Sequence, residues 1–94
     1  MSHNLPTLTH HQTAALSLLD SKFISGQTLG EALERKYNYK PSQPAFHILM
    51  KRLETYGLIA SKYKYHTTRT KYYKRTREGA KQLRQTINHY KALQ

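Results

Sequence analysis

The sequence predicts a winged helix-turn-helix fold, mainly α-helical with a small β-hairpin: a three-helix core, a two-stranded wing and a C-terminal helix. Two observations predict it. Apolar residues recur at helical spacing in consecutive segments up to residue 56, and from residue 58 the spacing changes to two, which is typical of strands. The length of 94 residues favours a single domain spanning 1–94.

The first helix is predicted to start after Thr7 or Thr9, because a threonine hydroxyl accepts a hydrogen bond from the first free backbone N–H groups. It should run to about Leu19. The residues that share its apolar face are Ala15, Leu16 and Leu19.

A break or short strand is expected over 21–25, closed by Gly26, and a second helix over 27–37. Apolar side chains at i, i+4 and i+8 predict this helix. They are Leu29, Leu33 and Tyr37. Its end is indicated by Pro41, since the residue before a proline is driven away from helical geometry.

The third helix is predicted over 42–56, with Ser42 as N-cap and Gly57 as the residue that ends it. Pro44 is tolerated in the first turn of a helix. The apolar face consists of Phe46, Met50 and Leu53. The opposite, outward face carries Pro44, His47, Ile48, Lys51 and Thr55.

The predicted wing covers 58–75, with a loop over 66–68 that lacks glycine, asparagine and aspartate and therefore disfavours a tight two-residue turn. Between Glu54 and Glu78 no acidic residue occurs. The cations of this stretch are Lys62, Lys64, Arg69, Lys71, Lys74, Arg75 and Arg77.

Thr76 is expected to cap the last helix, over 78–94. Its apolar residues are spaced three, four and three apart, which suits packing against another helix. They are Ala80, Leu83, Ile87 and Tyr90.

The formal net charge of +11 predicts a polyanionic partner, and its clustering on one hairpin favours double-stranded DNA. No window approaches the roughly 20 apolar residues that a membrane-spanning helix needs, so no membrane association is expected. A cytoplasmic location is expected, associated with the nucleoid when DNA is bound.

Helix 42–56 is predicted to enter the major groove and wing 58–75 to contact the phosphate backbone. Base contacts are predicted for Gln43, His47, Ile48 and Lys51, which offer hydrogen bonds and an apolar surface for a thymine methyl group. Backbone contacts are predicted for Lys40, Ser42, Lys62, Lys64, Thr68, Arg69 and Lys71.

Three runs resemble a known family. Residues 42–47 (Ser-Gln-Pro-Ala-Phe-His), with 50–54 and 57–59 (Gly-Leu-Ile), are similar to the recognition-helix signature of PadR-like winged-helix transcriptional regulators. Residues 69–79 resemble the wing strand of that family and the Thr-x-x-Gly start of its last helix. The resemblance implies a DNA-binding repressor that forms a homodimer through helix 78–94, and it leaves open whether a small-molecule effector binds.

Two other functions stay open at this point. A winged helix with a basic, tyrosine-rich wing also suits a protein-interaction module that docks an acidic partner. The rings of Tyr63, Tyr65 and Tyr72 suit stacking on single-stranded nucleic acid or RNA, although such a platform usually needs more than two strands. Tyr37, Tyr56 and Tyr73 are expected to pack their rings in the core.

No enzyme, cofactor or metal site is expected. The chain has no cysteine, and its six histidines include no His-x3-His pair. The five acidic residues are spread singly, and neither a glycine-rich phosphate loop nor a nucleophile elbow occurs.

Overall fold

The computed structural model describes residues 8–63 and 70–92. Four helices and three short strands form in this order: α1 (His10–Leu18), β1 (Ile24–Ser25), α2 (Gly26–Tyr37), α3 (Gln43–Thr55), β2 (Ile59–Tyr63), β3 (Lys71–Arg75) and α4 (Arg77–Ala92). The mainly helical winged fold is confirmed.

The predicted helix starts are confirmed at their caps. Thr9 forms a capping box with Gln12, each side chain accepting from the other's backbone N–H, whereas Thr7 lies outside the described residues. Ser42 Oγ accepts from the backbone N–H of Ala45 at 3.2 Å. Thr76 Oγ1 accepts from the N–H of Gly79 at 3.0 Å, which satisfies a backbone donor that has no partner within the helix.

Two residues with positive φ mark where helices end. Asn38 follows α2 with φ 53°, and Gly57 follows the cap of α3 with φ 77°. Asparagine and glycine tolerate this left-handed region better than other residues. The chain therefore reverses at the positions that the sequence indicated.

The wing is part of a three-stranded antiparallel sheet in the order β1-β3-β2, and not a separate two-stranded hairpin. Ile24 pairs with Tyr73 in the first ladder, and Ile59 pairs with Arg75 in the second. β1 therefore ties the base of the wing to the start of α2. The predicted loop at 66–68 lies outside the described residues.

The core lies between α1, α2 and α3 and the inner face of the sheet, and it is rich in leucine. Phe46 of α3 packs edge-on against Tyr73 of β3, with ring centroids 6.2 Å apart. This contact joins the third helix to the wing. The largest of the fully buried side chains are Leu8, Leu16, Leu19, Leu29, Leu33, Met50, Leu53 and Leu58.

Two tyrosines confirm the core prediction and one does not. Tyr73 is buried and Tyr56 packs against the core, but Tyr37 is 44% exposed and its hydroxyl shares a hydrogen bond of 2.9 Å with Ser17 Oγ. A helix turns about 100° per residue, so eight residues carry Tyr37 roughly 80° away from Leu29. Tyr37 has therefore rotated out of the apolar face.

Arg75 stands at the edge of the core and is partly buried. Its Nη1 donates to the carbonyl oxygen of Leu16 at 3.2 Å, and its backbone N–H donates to that of Asp20 at 2.8 Å. The guanidinium thus binds the open carbonyl end of α1, where a cation is favoured.

Within residues 8–63 and 70–92, every helix is too short or too polar to cross a lipid bilayer.

Candidate nucleic-acid interface

The outward face of α3 presents a row of polar side chains. Gln43, His47 and Lys51 are all exposed and follow one another at intervals of four residues. Such spacing keeps them on one side of the helix. Ile48 is 51% exposed and lies next to this row. The structure thus brings the predicted base-contacting residues onto one surface.

The start of α3 adds polar groups to the same surface. Ser42 is exposed and uses its oxygen as the N-cap acceptor, while its hydroxyl proton remains a donor. The free N–H groups of a helix N-terminus favour a negatively charged ligand. Lys40 precedes this end and lies 3.9 Å from Glu34 in an exposed ion pair.

The wing cations are divided between the two faces of the sheet. Cross-strand partners share a face, and Tyr63 pairs with Lys71 whereas Lys62 pairs with Tyr72. Lys71 is therefore on the inner face, with Tyr73 and α3. Lys62 is on the outer face, where its Nζ lies 4.3 Å from the ring centroid of Phe23.

Three of the predicted backbone contacts, Lys64, Thr68 and Arg69, lie outside the described residues, as does Tyr65.

A cleft of about 560 Å³ separates α3 from the wing and the start of α2. Gln43 and His47 line one wall, and Lys71 and Tyr73 line the other. Glu31 and Glu34 of α2 also contribute to its lining. The cleft therefore places two of the predicted base-reading residues, Gln43 and His47, beside a cation of the wing.

Glu54 is the residue of this region that the sequence reasoning missed. Ser61 Oγ donates to Glu54 Oε2, and Lys71 Nζ lies 4.0 Å from Glu54 Oε1. Its position was visible in the sequence, because it follows His47 by seven residues and Lys51 by three and so lies at the edge of the outward face of α3.

The charge of Glu54 affects its neighbour Tyr73. Burial, followed by the negative charge of Glu54 and by Tyr63, raises the pKa of the Tyr73 hydroxyl above its usual value of 10.0.

The predicted dimerisation residues of α4 differ in burial. Leu83 belongs to the core and Ala80 is partly buried, whereas Ile87 is 39% exposed. Tyr90 is partly buried, with its ring stacked on His10 at a centroid distance of 5.8 Å. The outer end of α4 thus carries most of the accessible apolar surface of this set.

An aromatic surface adjoins that end of α4. The rings of His11 and Tyr39 stack at 3.6 Å, and with Tyr37, Ile87 and Tyr90 they line a shallow cleft of about 520 Å³. No three side chains of metal-ligating type come together in the part of the chain that the structure describes.

Solved structures with the same fold are transcription regulators. A transcriptional regulator from Clostridium thermocellum is 28% identical over 87% of this chain and 83% of its own, with a TM-score of 0.75. A PadR family transcriptional regulator from Eggerthella lenta is also 28% identical, covering 88% and 73%, with a TM-score of 0.75.

Bacillus subtilis PadR, solved in complex with operator DNA, matches at a TM-score of 0.69 and 18% identity, over 84% of this chain and 48% of its own. No family profile matches the sequence. No curated protein matches it either. The chain therefore has the PadR-like winged-helix fold, and the resemblance seen in the sequence is confirmed at the level of the fold.

Proposed function

We propose that this chain binds double-stranded DNA in a sequence-specific manner and regulates transcription, as a repressor that blocks access to a promoter. The observation that carries this proposal is the exposed row Gln43, His47 and Lys51 on α3, set beside a cationic wing in a PadR-like fold. A helix with such a face suits the major groove.

Base readout is assigned to the outward face of α3. Gln43 and Lys51 offer donors for the acceptor atoms of base edges, and His47 offers a donor or an acceptor. Ile48 is exposed enough to meet a thymine methyl group. Together these residues determine which DNA sequences the protein prefers.

Affinity is assigned to contacts with phosphate. Among the described residues Lys40, Ser42, Lys62 and Lys71 serve this role, and Lys64, Thr68 and Arg69 complete the proposed set. The net charge of +11 supports a large electrostatic contribution, because each neutralised phosphate releases condensed counterions.

A homodimer formed through α4 is part of the proposal. The exposed Ile87, next to Tyr90, supports a contact between two copies of this helix, while the burial of Leu83 assigns that residue to the fold of each protomer. Two copies related by a twofold axis would present two α3 helices to successive major grooves. This role would place the protein in the cytoplasm, on the nucleoid when DNA is bound.

A second candidate function is docking of an acidic protein partner. The outer face of the sheet favours it, because the Nζ atoms of Lys62 and Lys74 lie 4.3 Å and 5.0 Å from the ring centroid of Phe23. A cationic surface with an aromatic ring suits acidic peptides with apolar side chains. Exposed Tyr63 would equally suit single-stranded nucleic acid.

The test starts with selection of bound sequences from a random duplex pool, followed by titration of the selected and a scrambled duplex. Lys51→Ala should lower the preference for the selected duplex, because a base contact is worth roughly 1–3 kcal/mol. Lys62→Ala should weaken binding to both duplexes equally.

Equal losses on both duplexes for the two variants would contradict the assignment of Lys51 to base readout. Single strands and an acidic peptide serve as competitors in the same titration. If single strands compete for the protein more effectively than unlabelled duplex does, single-strand binding replaces this proposal. If the acidic peptide does so, docking of an acidic partner replaces it.

A further inference from the structure

Lys71 is held by an acidic residue inside the proposed DNA-binding surface. Its Nζ lies 4.0 Å from Glu54 Oε1, and the two side chains are only 27% and 32% exposed. The ring centroids of Tyr73 and Tyr63 lie 5.8 Å and 5.9 Å from the same ammonium group. The ammonium of Lys71 thus occupies a partly buried niche of one carboxylate and two aromatic rings.

The carboxylate itself is fixed from a second side, because Ser61 Oγ of β2 donates to Glu54 Oε2. Glu54 is therefore bonded to both strands of the wing from its position on α3. A free surface carboxylate would rotate away from an approaching phosphate, whereas this one is held in place.

Glu54 also adjoins the residues assigned to base readout. His47, Lys51 and Glu54 follow at i, i+4 and i+7 along α3, and together with Lys71 they line a small recess beside the main cleft. A carboxylate at this position repels the phosphates that the surrounding cations attract. It also forms an ion pair with Lys71, the wing cation on the face of the sheet toward α3.

We propose that Glu54 competes with DNA phosphate for Lys71. In the free protein the carboxylate holds the ammonium group, and duplex binding exchanges it for a phosphate oxygen. Glu54 thereby lowers the affinity for duplexes of every sequence and leaves base preference unchanged. This inference rests on the proposed function, since it gives one residue of the same surface a role in setting affinity.

The exchange is tested by Glu54→Gln, which removes the charge and keeps an oxygen that accepts from Ser61. Binding of a random-sequence duplex should tighten roughly three- to tenfold, because the partly buried ion pair no longer has to be broken. The preference for the selected over the scrambled duplex should not change.

Glu78→Gln is the matched control. It adds the same unit of net charge at an exposed position in the first turn of α4, outside the residues assigned to DNA contact. The control should therefore tighten binding less than about twofold. An equal gain in both variants would mean that net charge alone is responsible, and the inference would be wrong.

A double-mutant cycle tests the named partner. In the Lys71→Met background the gain from Glu54→Gln should fall to the size of the control, because no ammonium group is left to release and only the repulsion between the carboxylate and phosphate is removed. A gain that persists in full without Lys71 would overturn the proposed competition.

The wild-type protein supplies a measurement that needs no substitution. On addition of the duplex, the NMR signal of the Glu54 side-chain carboxyl carbon should shift as Lys71 leaves, and an unchanged signal in the bound state would refute the exchange. If the wild type bound no duplex at all, the proposed function itself would fail. Tight wild-type binding without a gain in Glu54→Gln would overturn only the inference about Glu54.

Discussion

Gly79 shows at the scale of one residue why the start of α4 needs glycine. A Cβ atom there would overlap the carbonyl oxygen of Leu58 and would lie 2.9 Å from Cγ of Arg75. The neighbouring Thr76 hydroxyl donates to the carbonyl oxygen of Gly57 at 2.7 Å. The Thr-x-x-Gly sequence therefore combines a helix cap with a close approach of α4 to the segment that follows α3.

Gly79→Ala should destabilise the protein by about 2 kcal/mol or more, because backbone atoms of Leu58 must move to make room. The midpoint of urea unfolding measures this change. Gly30→Ala is the matched control. Apart from the adjoining backbone of α2, no heavy atom lies within 4 Å of its added Cβ, and alanine in the interior of α2 should stabilise by about 1 kcal/mol. A loss of similar size in both variants would contradict this account of Gly79.

The role of a single residue was predictable where its contacts are with residues close to it in the sequence. Thr9, Ser42 and Thr76 act as helix caps through atoms three residues away, so their roles follow from the sequence alone. The role of Glu54 depends on Ser61 and Lys71, whose positions are set by the pairing of two strands. A contact of this kind appears only once the elements are assembled.

At the scale of elements, α4 has a structural role, and a role in dimer assembly is proposed for it. It packs on α1 and β3 and places Leu83 in the core, whereas Ile87 in its second half remains 39% exposed. Apolar surface of this kind at the end of a helix suits contact with a second copy.

Ile87→Asp should convert a wild-type dimer to a monomer, because it places a charge in an apolar contact. Analytical ultracentrifugation at tens of micromolar, on the order of typical weak-dimer affinities, measures the mass. Asn88→Asp adds the same charge at an exposed neighbouring position and should remain dimeric. A monomeric wild type would refute dimerisation through α4.

The sheet was only partly predictable for reasons of length and register. β1 contains two residues, too few to show alternation, and its partner Tyr73 lies far along the chain. The sequence between β2 and β3 has no tight-turn signal, so the register that puts Lys62 and Lys71 on opposite faces was not evident. The strands themselves were expected from their period of two.

At the scale of the whole molecule, the winged fold combines a polar row on α3 with the cations of the wing. The net charge of +11 predicts attraction to any polyanion, and only the position of α3 beside the wing distinguishes a duplex from other partners. The fold followed from the order of helical and alternating segments. The division of the wing into a face toward α3 and an outer face required the structure.

The salt dependence of duplex binding tests most directly the central claim that cations of the wing, together with Lys40 ahead of α3, bind the DNA backbone. Fluorescence anisotropy of a labelled random-sequence duplex, measured between about 50 and 200 mM salt, gives the slope of log K against log salt. The account predicts a slope of roughly −0.9 for each phosphate contacted, reduced in magnitude by about 1 in Lys62→Ala. Affinity that does not change with salt, or an unchanged slope in that variant, would contradict it.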